Sequence, residues 1–188
     1  PDSIRDRGLN FPQLFLKRFK LNMLIDTTFI QDSRINYTEY NPDSKRKGSV
    51  IFSKINGNIL NVTNDSASLI RNSSAQAKLT ALLMDRGRFN VNMKFNLTSP
   101  NGNFDFKGNV GRMDANIFNA AIRPLSLIEI KSGLLKRMDF SGSGNINKIT
   151  GSVTCYYNNL KIALLEKSER TTWLKRRGIA SIFANVLI

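Results

Sequence analysis

The sequence predicts a mainly β protein built as one antiparallel domain. Apolar and polar residues alternate through most of the chain, as they do in a strand with one buried face. Clusters of Gly, Pro, Asn, Asp and Ser separate the alternating segments, and only about three short segments have helical spacing. With 188 residues and 41% hydrophobic content, the chain suits a lead-in at 1–11 and a single domain at 12–188, expected to be a fragment of a longer protein.

The first strands follow a short helix. The segment "NFPQLFLKRF" has Asn10 as a candidate N-cap and Pro12 in the first turn. From residue 21 the spacing of apolar side chains changes to two, and it continues past "QDS" to Tyr37. After the polar connection "NPDSKRKG", the segment "SVIFSKINGNILNVT" predicts one long strand or two short ones.

The middle of the chain predicts a strand followed by a hairpin. Residues 75–84, "AQAKLTALLM", are rich in Ala and Leu, which favour helices, but their alternation favours a strand. In "FNVNMKFNL", residues 89–97, every odd position is apolar and every even position is Asn or Lys. The turn cluster "TSPNG" and the alternating "NFDFKGNV" follow, which completes the predicted hairpin.

The C-terminal half predicts a helix, three strands and a second helix. "DANIFNAAIR" at 114–123 has a candidate cap in Asp114 and stops at Pro124. "LSLIEIKSG" and "LLKRMDFSGSG" resume the strand pattern, with the Gly pairs interpreted as turns or bulges. In "GSVTCYYNNLKIALL" the apolar positions shift from odd to even at Asn158 and Asn159, which predicts a bulge. A C-terminal helix is predicted from the spacing of Ile179, Ile182, Phe183 and Val186.

The apolar strand faces need a cover, because each large apolar side chain left in water forgoes roughly 1.5 to 3 kcal/mol. The predicted helices are too few and too short to cover a sheet of this extent. The sequence therefore leaves three arrangements open: a sandwich, a closed barrel, or a curled open sheet whose trough is filled by something apolar.

The composition predicts attraction to polyanions. Lys and Arg number 28 against 14 Asp and Glu, which gives a net charge of +14 and a pI near 10.3. Nucleic acid and anionic lipid headgroups are the two classes of partner that such a balance favours. No apolar run reaches the roughly 18 residues of a membrane-spanning helix, so any membrane anchor is expected outside this segment.

The residue types predict a protein that is not an enzyme and has no cofactor or metal. The chain has no histidine, which removes the commonest general base and most zinc sites. The single cysteine, Cys155, falls on the apolar side of a predicted strand and is interpreted as a small buried hydrophobe. The acidic residues are scattered over polar strand positions, so no carboxylate pair stands out.

The order of turns and strands in the C-terminal half resembles the C-terminal region of AsmA-like bacterial envelope proteins, in the version of Bacteroides-type organisms. The segments "IDTTFIQDSRINYTEYN" and "INGNILNVTND" resemble the preceding strands of that family. The resemblance covers about residues 12–188. Its carriers are Pro124, Leu125, Ile130, Ser132, Gly133, Phe140, Gly151, Tyr157, Asn159, Leu160, Lys161, Leu164 and Leu165.

The resemblance implies an extended, strongly curled antiparallel sheet that forms an apolar groove. It also implies a periplasmic protein, anchored in the inner membrane through a segment outside this chain. Its partners would be phospholipid or another acyl lipid, and outer-membrane assembly proteins. The function implied is lipid binding or transfer in support of outer-membrane biogenesis.

Two sets of residues are candidate contacts for lipid. The residues expected to line the groove are Met23, Ile25, Phe29, Phe89, Val91, Met93, Phe95, Phe104 and Phe106. An amphipathic C-terminal helix is expected to touch an anionic membrane surface, or to plug the end of the sheet, through Trp173, Lys175, Arg176, Arg177, Ile182 and Phe183.

Three other interpretations remain open. The apolar faces could form a dry core in a structural or scaffold domain. A nucleic-acid-binding β domain is disfavoured and no nucleic acid is expected, because a base-stacking platform needs a few rings beside basic residues on the same face. A piece of an outer-membrane barrel also predicts alternation, but several segments are too short or too polar for it.

Overall fold

The computed structural model describes residues 11–42, 44–126, 128–167 and 174–181. These residues form one antiparallel sheet with short helices, so the mainly β prediction is confirmed. The strands are β1 Leu24–Asn41, β2 Arg46–Thr63, β3 Ser74–Leu83, β4 Gly87–Asn96, β5 Phe104–Val110, β6 Met113–Asp114, β7 Ile128–Gly144, β8 Ile149–Lys167 and β9 Leu174–Ser181. The helices are α1 Pro12–Arg18, α2 Ser66–Arg71, a 3-10 helix at Ala115–Phe118 and α3 Asn119–Ser126.

The sheet is a meander, in which each strand pairs with its neighbours in sequence. The order is β1-β2-β3-β4-β5-β7-β8-β9, and the two-residue β6 pairs with β7 beyond the end of β5. Extensive contacts between strands run only between hydrogen-bonded neighbours, so the described sheet is a single layer and not a sandwich. The edge strands β1 and β9 do not pair with each other, which leaves the sheet open.

The predicted strong curl is wrong for the described residues, because the sheet is neither strongly curled nor closed. Closure needs the two edge strands to meet with a regular stagger. Here β1 and β9 lie at opposite ends of the strand order. Alternation in the sequence assigns side chains to faces, but it does not set the curvature of the sheet.

Most of the predicted elements in the middle of the chain are confirmed. Residues 74–83 form a strand despite their Ala and Leu content, because β3 hydrogen-bonds with β2 on one side and β4 on the other. The hairpin of β4 and β5 is in register from Phe89–Val110 to Phe95–Phe104. The short helices α1 and α3 are also present, whereas α2 was not predicted. Two of their predicted limits are wrong: the N-cap of α1 is Phe11 and not Asn10, and α3 continues through Pro124 to Ser126.

The predicted bulge at Asn158 and Asn159 is confirmed. Leu134 pairs with Asn158 and Ser132 pairs with Lys161, so β8 has one more residue than β7 between these two pairs. Asn159 has a φ of 50°, in the left-handed region that Asn tolerates better than most residues.

The predicted C-terminal helix is wrong over residues 174–181, which form strand β9. This strand pairs with residues 161–167 of β8. The backbone groups of β8 would otherwise be unpaired on that side, and satisfying them outweighs the helical spacing of the side chains. Ile182, Phe183 and Val186 lie outside the described residues. No helix in the described part of the chain is long and apolar enough to cross a membrane.

Candidate functional site

The strand register gives the sheet one apolar face and one polar face. Residues that pair across antiparallel strands point to the same side of the sheet. One row of paired residues on the apolar face is Ala77, Met93, Phe106, Gly142 and Gly151. The adjacent row, on the polar face, is Asn58, Lys78, Asn92, Lys107, Ser141 and Ser152.

Helix α1 covers one end of the apolar face. Leu16 packs with Ala75 and Leu97 in a buried cluster. Two side chains fix the helix to the turn after β4: Gln13 Nε2 donates to Gly102 O at 2.6 Å and Lys17 Nζ donates to Ser99 O at 2.6 Å. This cover is therefore held by both packing and hydrogen bonds.

The 3-10 helix and α3 cover the opposite end of the apolar face. Ile117 and Phe118 of the 3-10 helix pack against a second buried cluster, which consists of Leu83, Val110, Met113 and Leu135. The side-chain amide of Asn119 joins this segment to β7: Nδ2 donates to Ile130 O, and Ile130 N donates to Oδ1, both at 2.8 Å. Val110, at 0% exposure, is the most deeply buried member of the cluster.

Between these two covers the apolar face is open. The open strip consists of Leu79 on β3, Val91 and Met93 on β4, and Phe106 on β5, all of them half-buried. No described helix or strand lies over them, because the helices contact the ends of the strands and the sheet is a single layer. The strip continues towards Val153 on β8, which is 65% exposed.

Phenylalanine rings connect the two covered ends across the strip. The successive ring-to-ring distances are 5.0 Å for Phe52 and Phe89, 5.6 Å for Phe89 and Phe140, 6.4 Å for Phe140 and Phe106, 6.1 Å for Phe106 and Phe104, and 5.4 Å for Phe104 and Phe11. These distances lie in the range of favourable aromatic pairs. The rings therefore form a continuous apolar track, called the ring track below.

Glycines allow the rings to lie close against the sheet. A Cβ atom on Gly108 would come within 2.5 Å of the Phe140 ring, and one on Gly142 within 2.7 Å of the Phe106 ring. Sequence reasoning missed this arrangement and interpreted the Gly pairs as turns or bulges. The usable signal was the "FSGSG" pattern, which places Phe140 and the glycines on the same face of one strand.

The structure brings together six of the nine predicted groove residues on the apolar face. They are Phe89, Val91, Met93, Phe95, Phe104 and Phe106. Met23 lies beside them in the cluster under α1. Ile25 pairs with Val62 in the edge strand and is 37% exposed, away from the open strip.

Phe29 is the exception, because it lies on the polar face. It pairs with Asn58, which pairs with Lys78, and its side chain is 79% exposed. The pairing with β2 decides this: Thr28, not Phe29, pairs with Ile59, and Ile59 pairs with Ala77 on the apolar face. The prediction of Phe29 as a groove residue is wrong for the described sheet.

Three of the six predicted membrane contacts at the C-terminus lie outside the described residues. Trp173, Ile182 and Phe183 are among the residues that the structure does not describe. Lys175, Arg176 and Arg177 belong to β9, so the amphipathic helix that was to present them is absent. Their contact with a membrane surface stays a prediction.

The polar face contains a surface depression of about 980 Å³. Lys78, Lys94 and Lys107 line it, together with Asn92 and the serines of β7. The lysines and the rings therefore lie on opposite faces of the same strands. This separation differs from a base-stacking platform, in which rings and cations share a face.

Cys155 is exposed, so its interpretation as a buried hydrophobe is wrong. It pairs with Met138 and lies on the apolar face of β8, near the edge of the described sheet. Partial burial raises the pKa of its thiol. Among the described residues no cluster of His, Cys, Asp and Glu has the geometry to hold a metal ion.

Comparisons with known proteins gave no match. No family model matches the chain, and neither the curated proteins nor the solved structures contain a significant similarity to it. The AsmA-like resemblance therefore stays a prediction.

Proposed function

We propose that this chain is a non-enzymatic lipid-binding module whose apolar face holds acyl chains. The observation that carries the proposal is the open strip, where Val91, Met93 and Phe106 have no described cover. An apolar surface that is built on regular strands and left without a protein layer is typical of a binding site for an apolar ligand.

The physical chemistry of an acyl chain suits such a surface. Burial of each CH₂ group contributes about 0.8 kcal/mol, so a sixteen-carbon chain gains on the order of 12 kcal/mol when it leaves water completely. From Phe89 to Phe95 the strand spans about 20 Å at a rise of ~3.4 Å per residue. A continuous track of rings over this length lowers the cost of holding a chain outside a bilayer.

The groove implied by the AsmA-like resemblance remains part of the proposal. The open apolar face supplies one wall, and the full protein would supply the rest through further strands. The edge strand β1 supports this extension, because no described strand lies beyond it in the sheet and it exposes Ile35 at 56% and Tyr37 at 57%. Periplasmic location, an anchor in the inner membrane and partners in outer-membrane assembly belong to the same proposal.

A structural or scaffold domain is the second candidate, and the two buried clusters at the ends of the face favour it. Both clusters are packed cores of buried apolar side chains under short helices. A packed core explains the burial of Val110 and Leu135. It does not explain why Met93 and Phe106, between the two covered ends, are only half-buried and have no described cover. Nucleic-acid binding is the least favoured candidate because the rings and lysines occupy opposite faces.

Native mass spectrometry of the gently purified chain tests the lipid proposal. We expect a copurifying phospholipid with the wild-type protein and its loss with Met93→Asp, which places a charge in the open strip. Asn92→Asp is the matched control, because it places the same charge on the neighbouring residue of the same strand but on the polar face. An empty wild-type protein, or equal lipid in the two variants, would contradict the proposal.

A further inference from the structure

A second apolar surface lies outside the sheet, on the solvent side of α1 and α2. Phe15 is 58% exposed, Phe19 38%, Leu21 68% and Ile70 87%. The rings of Phe15 and Phe19 are in contact, with their centres 6.0 Å apart. These side chains are not members of the buried cluster under α1, so the packing of the described residues does not account for them.

The two helices belong to one fixed surface. Leu16 of α1 and Leu69 of α2 pack into the same cluster beside Ala75. The side chain of Asn64, just before α2, is bonded to the segment that follows α1: its Nδ2 donates to the carbonyls of Phe19 at 3.0 Å and Leu21 at 2.9 Å. The exposed rings, Leu21 and Ile70 are thus carried by segments that are bonded to each other.

The segments that carry these apolar side chains are also basic. Segments 12–22 and 64–71 contain Lys17, Arg18, Lys20 and Arg71, and their only acidic residue is Asp65. The carboxylate of Asp65 is occupied as the cap of α2, where it accepts from Ser68 N at 2.8 Å. A depression of about 380 Å³ between the helices is lined by Lys17, Lys20 and Phe19.

We propose that the surface of α1 and α2 docks on an anionic lipid bilayer. Exposed aromatic and aliphatic side chains on segments that also carry Lys and Arg are the combination that inserts at the headgroup level of such a membrane. A second copy of the chain fits less well, because a two-fold contact would bring the two basic sets against each other. Charge complementarity therefore selects the anionic bilayer.

This orientation would place the ring track next to the membrane. Phe11, at the start of α1, contacts Phe104 at the end of the track. An acyl chain that leaves a docked bilayer beside α1 would meet the track at that point. The role of docking in lipid transfer rests on the proposed lipid function. Docking on the bilayer can be measured whether or not the chain binds lipid.

Vesicle flotation of the full chain tests the docking surface. We expect the protein to float with vesicles of phosphatidylglycerol and phosphatidylcholine, and much less with phosphatidylcholine alone. Phe15→Ser with Phe19→Ser should weaken partitioning at least about tenfold, from the lost apolar insertion. Lys20→Glu should weaken it severalfold or more through lost attraction to the headgroups.

Phe29→Ser is the matched control, because Phe29 is an even more exposed phenylalanine that lies on the polar face of the sheet. It should float as the wild type does. Equal flotation with both kinds of vesicle, an unchanged Phe15/Phe19 variant, or an equal loss in the Phe29 variant would overturn the proposal. So would sedimentation analysis that shows a dimer lost in the Phe15/Phe19 variant. If circular dichroism shows that the Phe15/Phe19 variant is unfolded, the flotation of the Lys20→Glu variant decides the test.

The docking test and the lipid test can fail separately. The Phe15/Phe19 variant should keep the copurifying phospholipid that Met93→Asp loses. A wild-type protein that floats with anionic vesicles but carries no lipid would sink the proposed function alone. A wild-type protein that carries lipid but does not float would sink the docking surface alone.

Discussion

The covered end and the open strip of the apolar face share strands but differ in burial. On β5, Val110 lies under the 3-10 helix and is fully buried, whereas Phe106, four residues earlier on the same face, is half-buried. Both belong to one uninterrupted alternating pattern. The difference shows that alternation assigns a side chain to a face, while the cover decides whether that side chain becomes core.

The largest expected contrast is in stability. Leu135→Ala should lower the free energy of unfolding by about 2 to 5 kcal/mol, because it leaves a cavity in the cluster under the 3-10 helix. Met93→Ala in the open strip should cost less than half as much, since water or ligand can occupy the space. Urea denaturation followed by circular dichroism measures both. Equal losses would mean that the strip is covered as tightly as the end.

A second contrast concerns the glycines beneath the rings. Gly142→Ala would place a Cβ 2.4 Å from Thr150 O and 2.7 Å from the Phe106 ring, so the strand must shift. We expect a loss of about 1 to 3 kcal/mol. Gly111→Ala is the control, because its nearest atoms lie at 3.5 Å or more. If Gly142→Ala lowers the free energy of unfolding no more than Gly111→Ala does, the rings do not lie close against the sheet.

The smallest effect is expected at Asp65, which caps α2 beside the cover of α1. Its hydrogen bonds with Ser68 hold the pKa of the carboxyl below its usual range. A lowered folded pKa stabilises the protein above the ordinary Asp pKa, and this stabilisation is lost as the pH falls through the folded value. Asp65→Asn lacks that titration, so the difference in Tm between wild type and variant should shrink on acidification. A constant difference across the pH range would argue against the charged cap.

The sequence predicted local faces better than long-range arrangement. The alternation of β3, β4 and β5 placed Met93, Phe95 and Phe106 on one side of a hairpin, and the register confirms it. The bulge at Asn159 was also readable, because the apolar positions change parity there. These features depend on neighbouring residues, which a single sequence displays.

Features that depend on distant contacts were missed. Phe29 falls on the polar face because β1 pairs with β2 in a register that sets it beside Asn58 and Lys78, and the local alternation does not show this register. The tail has helical spacing, but the free edge of β8 pairs with it as a strand. The curvature of the sheet and the position of the helical covers likewise follow from tertiary packing, which overrides local propensity.

Photo-crosslinking on the two faces of β4 tests the central claim most directly. A crosslinking residue placed at Val91 or Met93 should capture phospholipid in cells, and the same residue at Asn90 or Asn92 should not, because the odd and even positions point to opposite faces. Lipid adducts confined to the odd positions would support an apolar face that holds acyl chains. Adducts on both faces, or on neither, would contradict it.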